Sequence, residues 1–544
     1  MSVSSSLGYG QQLDEDYNYF ENFLNGSLES GAWYFDARFE YSTPPEYGFE
    51  FTGLERASLR YSTDSWMLEL GDIWKTFGRG LALNLYEDQL IDFNSKVKGM
   101  HLSMSYSDVL SMSLIAGANH DFKFYSPSSD LRTPDGKTEY DLGGLELEFT
   151  PISGLWALSP YLIIGNVRSD MLWSDYDSQT KTITADTVLQ TMSTFQSGFN
   201  QTYFGEEWDI YLEYGRTIRS TDYPIVKQSI EQIEGGLSLE KTNPKYESQQ
   251  SNLYLQANWF PEWFTLMFEY KRYLNGVESV GDKRNPLLQA SKPLPWQLGP
   301  TGIRQHDINI LSNVTHPVDY GDELGWNLEL RKYINDNWSF LFNASQTSQS
   351  RDSRDLELDT GYWPTQALTH NPWQEYYTEL EYTGKRLSER LVLAYTRSAL
   401  SGEKAAEIAE HYSFVPLYLS WHNQNDFVYS TTVELQYSRI QSELYTGGIL
   451  GQHDYQGAHV IVGIDMFQKY STAIIWDVSN DPLLNAGAED SQHWVSGEIS
   501  MKPIDRMWLR ALYGKEKGGV RCTGGVCRVL NPFEGARLTL EWRL

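Results

Sequence analysis

The last nine residues, Ala536 to Leu544 (ARLTLEWRL), alternate apolar and polar without a break. Ala536, Leu538, Leu540, Trp542 and Leu544 share one face, and Arg537, Thr539, Glu541 and Arg543 the other. A period of two is the mark of a strand with one apolar side. In lipid such a strand persists only if both its edges are paired, which closing a sheet into a barrel achieves. Ending on an apolar residue just after an aromatic one is how outer-membrane barrels usually finish, so the pattern should recur upstream.

It does. Ala57, Leu59 and Tyr61 interleave with polar residues, as do Met100, Leu102, Met104 and Tyr106. Further on, Trp208, Ile210, Leu212 and Tyr214 alternate with Asp209 and Glu213, and Trp326, Leu328 and Leu330 with Asn327, Glu329 and Arg331. A soluble sandwich turns such a polar face outward, whereas a membrane barrel turns it inward. Connectors and composition separate the two.

Aromatics make up 14% of the chain, with 36 Tyr and 18 Trp, yet mean hydropathy is −0.47. A barrel explains both, because rings with one polar atom belong at the headgroup levels while lumen and loops are polar. No apolar run of about 18 residues exists, which excludes a transmembrane helix. The net charge of −29 argues against nucleic acid as a partner. The chain opens MSVSSSLGYGQQLDEDYNYF with no apolar signal core, so a secretory signal is expected to be missing from this numbering.

Connectors alternate between short and long. Trp66, Trp156, Trp208, Trp263, Trp338 and Trp508 each follow a tight turn, the place expected for a periplasmic aromatic girdle. Long polar connectors are expected near 121–139, 169–188, 218–248, 277–320, 351–371, 400–410, 443–455 and 481–491, as extracellular loops. The expected fold is therefore all-β: one antiparallel up-and-down transmembrane barrel of about 22 strands, range 20–24, with short periplasmic turns. Residues 1–21 are expected to be a periplasmic N-terminal segment, and 22–544 the barrel. Side chains alone do not fill so wide a bore. Only about 20 residues precede the first expected strand, too few for a plug domain, so loops, water or another protein must occupy the lumen.

Two segments interrupt the pattern. Residues 71–99 (GDIWKTFGRGLALNLYEDQLIDFNSKVKG) combine Gly78 and Gly80 with Leu81, Leu83 and Leu85 and the acidic pair Glu87–Asp88. An inward-folded constriction loop accounts for them, with glycines for close approach and Lys75 and Arg79 available to lumen carboxylates. A nucleotide-binding loop would need a third glycine and a helix. In residues 519–530, Cys522 and Cys527 are the only cysteines. In an oxidising compartment the simplest reading is a structural disulfide clipping the last loop, since a redox pair calls for C-x-x-C spacing. The histidines are dispersed and no G-x-S-x-G occurs, so no catalytic, metal or cofactor residue is nominated.

Three segments, Gly26–Asp36 (GSLESGAWYFD), Gly71–Gly99 and Cys522–Leu538 (CTGGVCRVLNPFEGARL), resemble signature regions of the DUF6029 family of Bacteroidota and related bacteria. That family shows an S-x-E-S start to its first strand, an F-G-x-G-L-x-L-x-x-Y-E-D segment and a C-x-G-G-V-C-R close. Gln89–Phe93 departs from the pattern after Y-E-D, as does the segment before the closing glycine. The resemblance implies an outer-membrane barrel and carries no activity and no site residue.

The expected function is a porin-like channel or transporter for a hydrophilic solute, not an enzyme. Glu146, Glu148, Glu213, Glu329, Glu379, Glu381, Glu434 and Glu498 on the polar face would favour a cationic or neutral solute. The alternative is a scaffold barrel holding a partner protein such as a surface lipoprotein, a secretion component or a multihaem cytochrome. Outer-membrane lipid and the barrel-assembly machinery are the other expected partners.

Overall fold

The computed structural model describes residues 2–544 except 14–16, 125–135, 153, 178–181, 222–224, 228–239, 243–245, 276–293, 313, 315, 317, 352–360, 403–404, 423–427, 447–448, 481–490, 524–525 and 531. Its wall strands are β1 (Ser2–Gln12), β2 (Tyr17–Ser30), β3 (Trp33–Ser42), β4 (Phe51–Ser62), β5 (Trp66–Ile73), β6 (Val97–Ser107), β7 (Leu110–Phe124) and β8 (Gly136–Ile152). Next come β9 (Trp156–Asp177), β10 (Thr182–Phe204), β11 (Trp208–Thr221), β12 (Tyr246–Trp259), β13 (Phe264–Tyr273), β14 (Glu323–Tyr333), β15 (Trp338–Ser348) and β16 (Trp373–Thr383). The last are β17 (Leu387–Gly402), β18 (Ala405–His422), β19 (Val428–Thr446), β20 (Ile449–Met466), β21 (Tyr470–Ser479), β22 (Gln492–Ile504), β23 (Met507–Glu516) and β24 (Phe533–Arg543).

These 24 strands form one antiparallel sheet, and β1 pairs with β24 to close it. The expected count of about 22 falls short chiefly because residues 1–21 are not a separate segment. Ser4–Gln12 pair with Arg543–Gly535 on one side, and Ser2–Gln12 with Ser27–Tyr17 on the other. The sequence SVSSSLGYGQQ has few apolar side chains, so pairing on both edges, rather than its own pattern, makes it a strand. Three expected long loops also shrink. Strand runs to Asp177, Gly402 and Thr446 before the chain turns, because strands continuing into water need no apolar face.

Alternation sorts the side chains. On β11, Trp208, Ile210 and Tyr214 are exposed on the outer face, while Tyr211, Glu213, Thr217 and Arg219 are buried toward the lumen. On β24, Leu538, Trp542 and Leu544 are exposed outward with Leu540 on the same face, whereas Arg537 reaches Glu46 and Glu516 inside. Both termini lie at the short-turn end, where the Leu544 N–H donates to the Val3 carbonyl at 2.8 Å.

Trp66, Trp156, Trp208 and Trp338 each open a strand at that end, on the outward side. Trp263 sits in the turn before β13 against Phe264, with ring centroids 4.4 Å apart. Trp508 is different: it pairs in register with Glu541, on the lumen side, under the Arg543 guanidinium. Trp33 and Tyr61, which join Trp66 in a rim cluster, complete the aromatic level.

Ile474, on β21, is 62% exposed on the outer face. Ile474→Arg is expected to cost about 2–4 kcal/mol in lipid, as charges at mid-wall do. Ile474→Leu should be neutral, both read by urea unfolding in vesicles.

Candidate functional site

Two connectors fold into the bore. Loop A, residues 74–96, joins β5 to β6, and loop B, residues 274–322, joins β13 to β14. Loop B is thus not the expected extracellular loop: in its described part, Leu294, Trp296, Leu298, Ile308 and Leu311 are buried. Such residues are stable out of water only against another apolar surface, and the inner wall provides it.

Three apolar clusters result. Phe77, Leu83 and Leu85 of loop A meet Leu294 and Trp296 of loop B on Ile115, Tyr140, Tyr161, Ile163 and Met192 of the wall. Leu81, Ile91 and Phe93 join Leu298 against Tyr211, Tyr254 and Tyr273. Ile308 and Leu311, the latter in a one-turn helix α1 (Asn309–Ser312), pack on Leu341, Tyr377, Val392 and Val415. The loops are also bonded to each other: the Asn84 N–H donates to the Trp296 carbonyl at 2.8 Å, and Asn84 Nδ2 to the Leu298 carbonyl at 2.9 Å.

The F-G-R-G segment shows why glycine is needed. Gly78 has φ +55 and Gly80 φ +98, and an added Cβ would lie 2.8 Å from the Glu213 carboxylate and 2.6 Å from the Leu298 carbonyl, respectively. With no side chain in the way, the Gly78 and Arg79 N–H groups donate to Glu146 (3.2 Å) and Glu213 (2.8 Å). The Arg79 guanidinium covers the Tyr211 ring at 4.1 Å and makes no carboxylate pair of its own among the described residues. Lys75 Nζ lies 6.0 Å from the Phe77 ring centre. Glu87 bridges Arg38 and Arg56, 2.9 Å from each, while Asp88 pairs in register with Phe93 and faces the cavity described below.

Loop B is pinned by ions that the sequence reading missed. Buried Lys271 pairs with buried Glu323 and donates to the Thr301 carbonyl, and His316 holds the other Glu323 oxygen at 3.0 Å. Arg304 meets Glu329 at 2.6 Å, His306 meets Glu375 at 2.9 Å, and Arg390 meets Asp307 at 2.8 Å. Glu146, Glu213 and Glu329, expected to favour a cationic or neutral solute, therefore also hold the loops. Trp296 inside P-L-P-W-Q-L-G-P was the available sequence signal: an aromatic in a proline-stiffened loop.

The loops cover the wall from β7 to β18 and leave a cavity of about 1190 Å³ beside β2–β4, β21, β23 and β24. Carboxylates outnumber Lys and Arg in its lining twelve to seven. Lys96–Glu55 at 2.7 Å, Lys123–Asp92 at 2.9 Å and Arg537–Glu46 at 2.8 Å link its walls. Among the described residues no group of three or more His, Cys, Asp or Glu is placed to hold a metal ion. In the last loop, Cys522 and Cys527 are register partners across the hairpin formed by Gly519–Thr523 and Val526–Leu530; their side chains lie outside the described residues.

Such a wall, closed and filled from within, is similar in fold to the large barrels of outer-membrane receptors. The chain matches DUF6029, a family of unknown function, over residues 6–544, and belongs to that family. No curated protein matches the sequence. The siderophore receptor PirA from Acinetobacter baumannii is similar in fold, with a TM-score of 0.51 at 8% identity, covering 100% of this chain and 80% of that one. PirA from Pseudomonas aeruginosa aligns at a TM-score of 0.48 and 7% identity, with the same coverage.

Lys271→Ala leaves Glu323 buried with His316 alone, and unpairing a buried charge costs about 3–5 kcal/mol. The expected outcome is a lower unfolding midpoint together with new tryptic cleavage at Arg304. Gly80→Val should likewise expose Arg79 to trypsin, with the strand signal in circular dichroism unchanged.

Proposed function

We propose that this protein is an outer-membrane transport barrel in which a polar solute is held in the cavity between the lumen loops and the β1–β4 and β21–β24 wall. The observation that carries this reading is the pair of loops bonded to each other across the bore, which replaces an open pore by a charged compartment. The excess of carboxylates favours a cationic or neutral hydrophilic solute over an anion. A fold shared with a siderophore receptor agrees with this reading at the level of architecture. No catalytic step is part of it, and a partner threaded through the bore would have to displace both loops.

Planar-bilayer recording tests the proposal. The intact chain is expected to give small or gated currents. Replacing residues 294–312 by a short Gly/Ser linker should convert them to large, steady, cation-selective ones. Equal large currents from both proteins would sink the compartment reading. Silence of both, with a second polypeptide copurifying from native membranes, would favour a scaffold instead.

We also propose a Cys522–Cys527 disulfide, supported by their opposed register. Under non-reducing denaturation no free thiol should titrate, and Cys522→Ser should release one. A six-residue ring of this kind contributes only about 2 kcal/mol, so reduction should loosen the last loop without unfolding the barrel.

A further inference from the structure

The wall has a seam where loop A leaves β5. β5 is eight residues long and pairs with β4 over only Ser58–Ser62 against Met67–Gly71. Above that point Phe51–Ala57 of β4 pair with β3 alone, and β7 beyond Ala118 pairs with β8 but not with β6. Gly71, at φ +113, is the point of departure, because a Cβ there would lie 2.2 Å from the Ala57 carbonyl oxygen. A transmembrane strand needs about 9–11 residues to cross the hydrocarbon. Five rungs rising from the short-turn rim therefore seal the membrane only about half way.

The open edge is finished by side chains. The Ala57 N–H donates to Asp72 Oδ2 at 2.7 Å, and Lys96 Nζ donates to the Glu55 carbonyl at 2.7 Å. Backbone groups at membrane depth require such partners. The cavity, moreover, wraps around both banks of the seam. Its lining includes Leu54, Lys98 and Ala118, which lie on the outward faces of β4, β6 and β7. Leu54 is 58% exposed, and Phe49 and Phe51 are exposed at the same opening. Lys96, Lys123 and Lys137 each hold a carboxylate, whereas exposed Lys98 pairs with none among the described residues.

We propose that this seam is a side port through which the cavity exchanges a zwitterionic amphiphile with the outer leaflet. The apolar tail lies along Leu54, Phe51 and Met100; the phosphate of the headgroup meets Lys98 at the mouth, and its ammonium enters the carboxylate-rich compartment. The proposal rests on the transport reading above and deepens it: the polar solute is the head of a lipid-like molecule.

The test uses the full chain in nanodiscs containing phosphatidylethanolamine with a diazirine in its acyl tail, photolysed and mapped by peptide mass spectrometry. Adducts at Ile474, far from the seam and facing lipid on any reading, calibrate the labelling. The expected result is additional adducts on residues 86–94 of loop A, inside the port. Lys98→Glu should reduce those about five-fold, one basic residue beside a lipid phosphate contributing a factor of that order, and leave Ile474 unchanged. Labelling of Ile474 with none on 86–94 overturns the port, as a loop or a partner protein covering the seam would produce, and leaves the solute-flux reading standing. Labelling of 86–94 in a barrel that carries no solute current keeps the port and removes that reading.

Discussion

Everything in this molecule follows from one demand: a backbone N–H or C=O at membrane depth must have a partner that is not water. Closing 24 antiparallel strands answers it around the circumference, and the pairing of Leu7 with Leu540 and of Tyr9 with Leu538 makes the join between β1 and β24 like any other. The same demand governs the exceptions. Where β4 loses its neighbour, a lysine ammonium and an aspartate carboxylate stand in for a strand.

Closure at this strand number creates a second problem, a bore too wide for wall side chains to meet across it. Two loops solve it by burying apolar residues on the inner wall, a favourable term that scales with the area removed from water. Carboxylates then fix their register. Glu146 and Glu213 accept backbone N–H groups of loop A, while Glu323, Glu329 and Glu375 hold His316, Arg304 and His306 of loop B. The polar alternation of the strands, with those carboxylates on His316, Arg304 and His306, therefore supplies specific anchor points for the loops as well as a hydrated surface.

What was legible in the sequence is what repeats locally. Period-two alternation in strands such as β11 and β24, and Trp just past a turn, report a wall without any long-range information. β1 was hidden because its face is mostly Ser and Gly. It becomes a strand through neighbours, with Tyr19 of β2 lying over Gly10 and donated to by Arg537 of β24. Loop B was hidden because Asp, Asn, Gly and Pro dilute its apolar residues, and its inner-wall partners lie far away in sequence. Trp508 misled because its place after a turn says nothing of which face it takes; its register with Glu541 decides that.

The arrangement of loops, cavity and seam is also not independent. Loop A begins at the residues where β5 peels from β4, so a strand cut short at Gly71 frees chain for the lumen and opens the wall at one stroke. Had β5 run the full height of the membrane, the glycine-rich turn at Gly78–Gly80 would begin above the bilayer, out of reach of Glu146 and Glu213. The short strand is thus a condition for loop A to enter the lumen. The charged cavity lies beside the gap because the inward chain leaves that sector of the wall uncovered. Residues 77–85 of loop A pack toward β7–β13, while Glu87 reaches back to Arg38 and Arg56, and the space between is bounded by Arg38, Glu55 and Lys96. One truncated strand accounts for the opening and for loop A's share of the plug, and loop B, from the far side of the wall, completes the compartment.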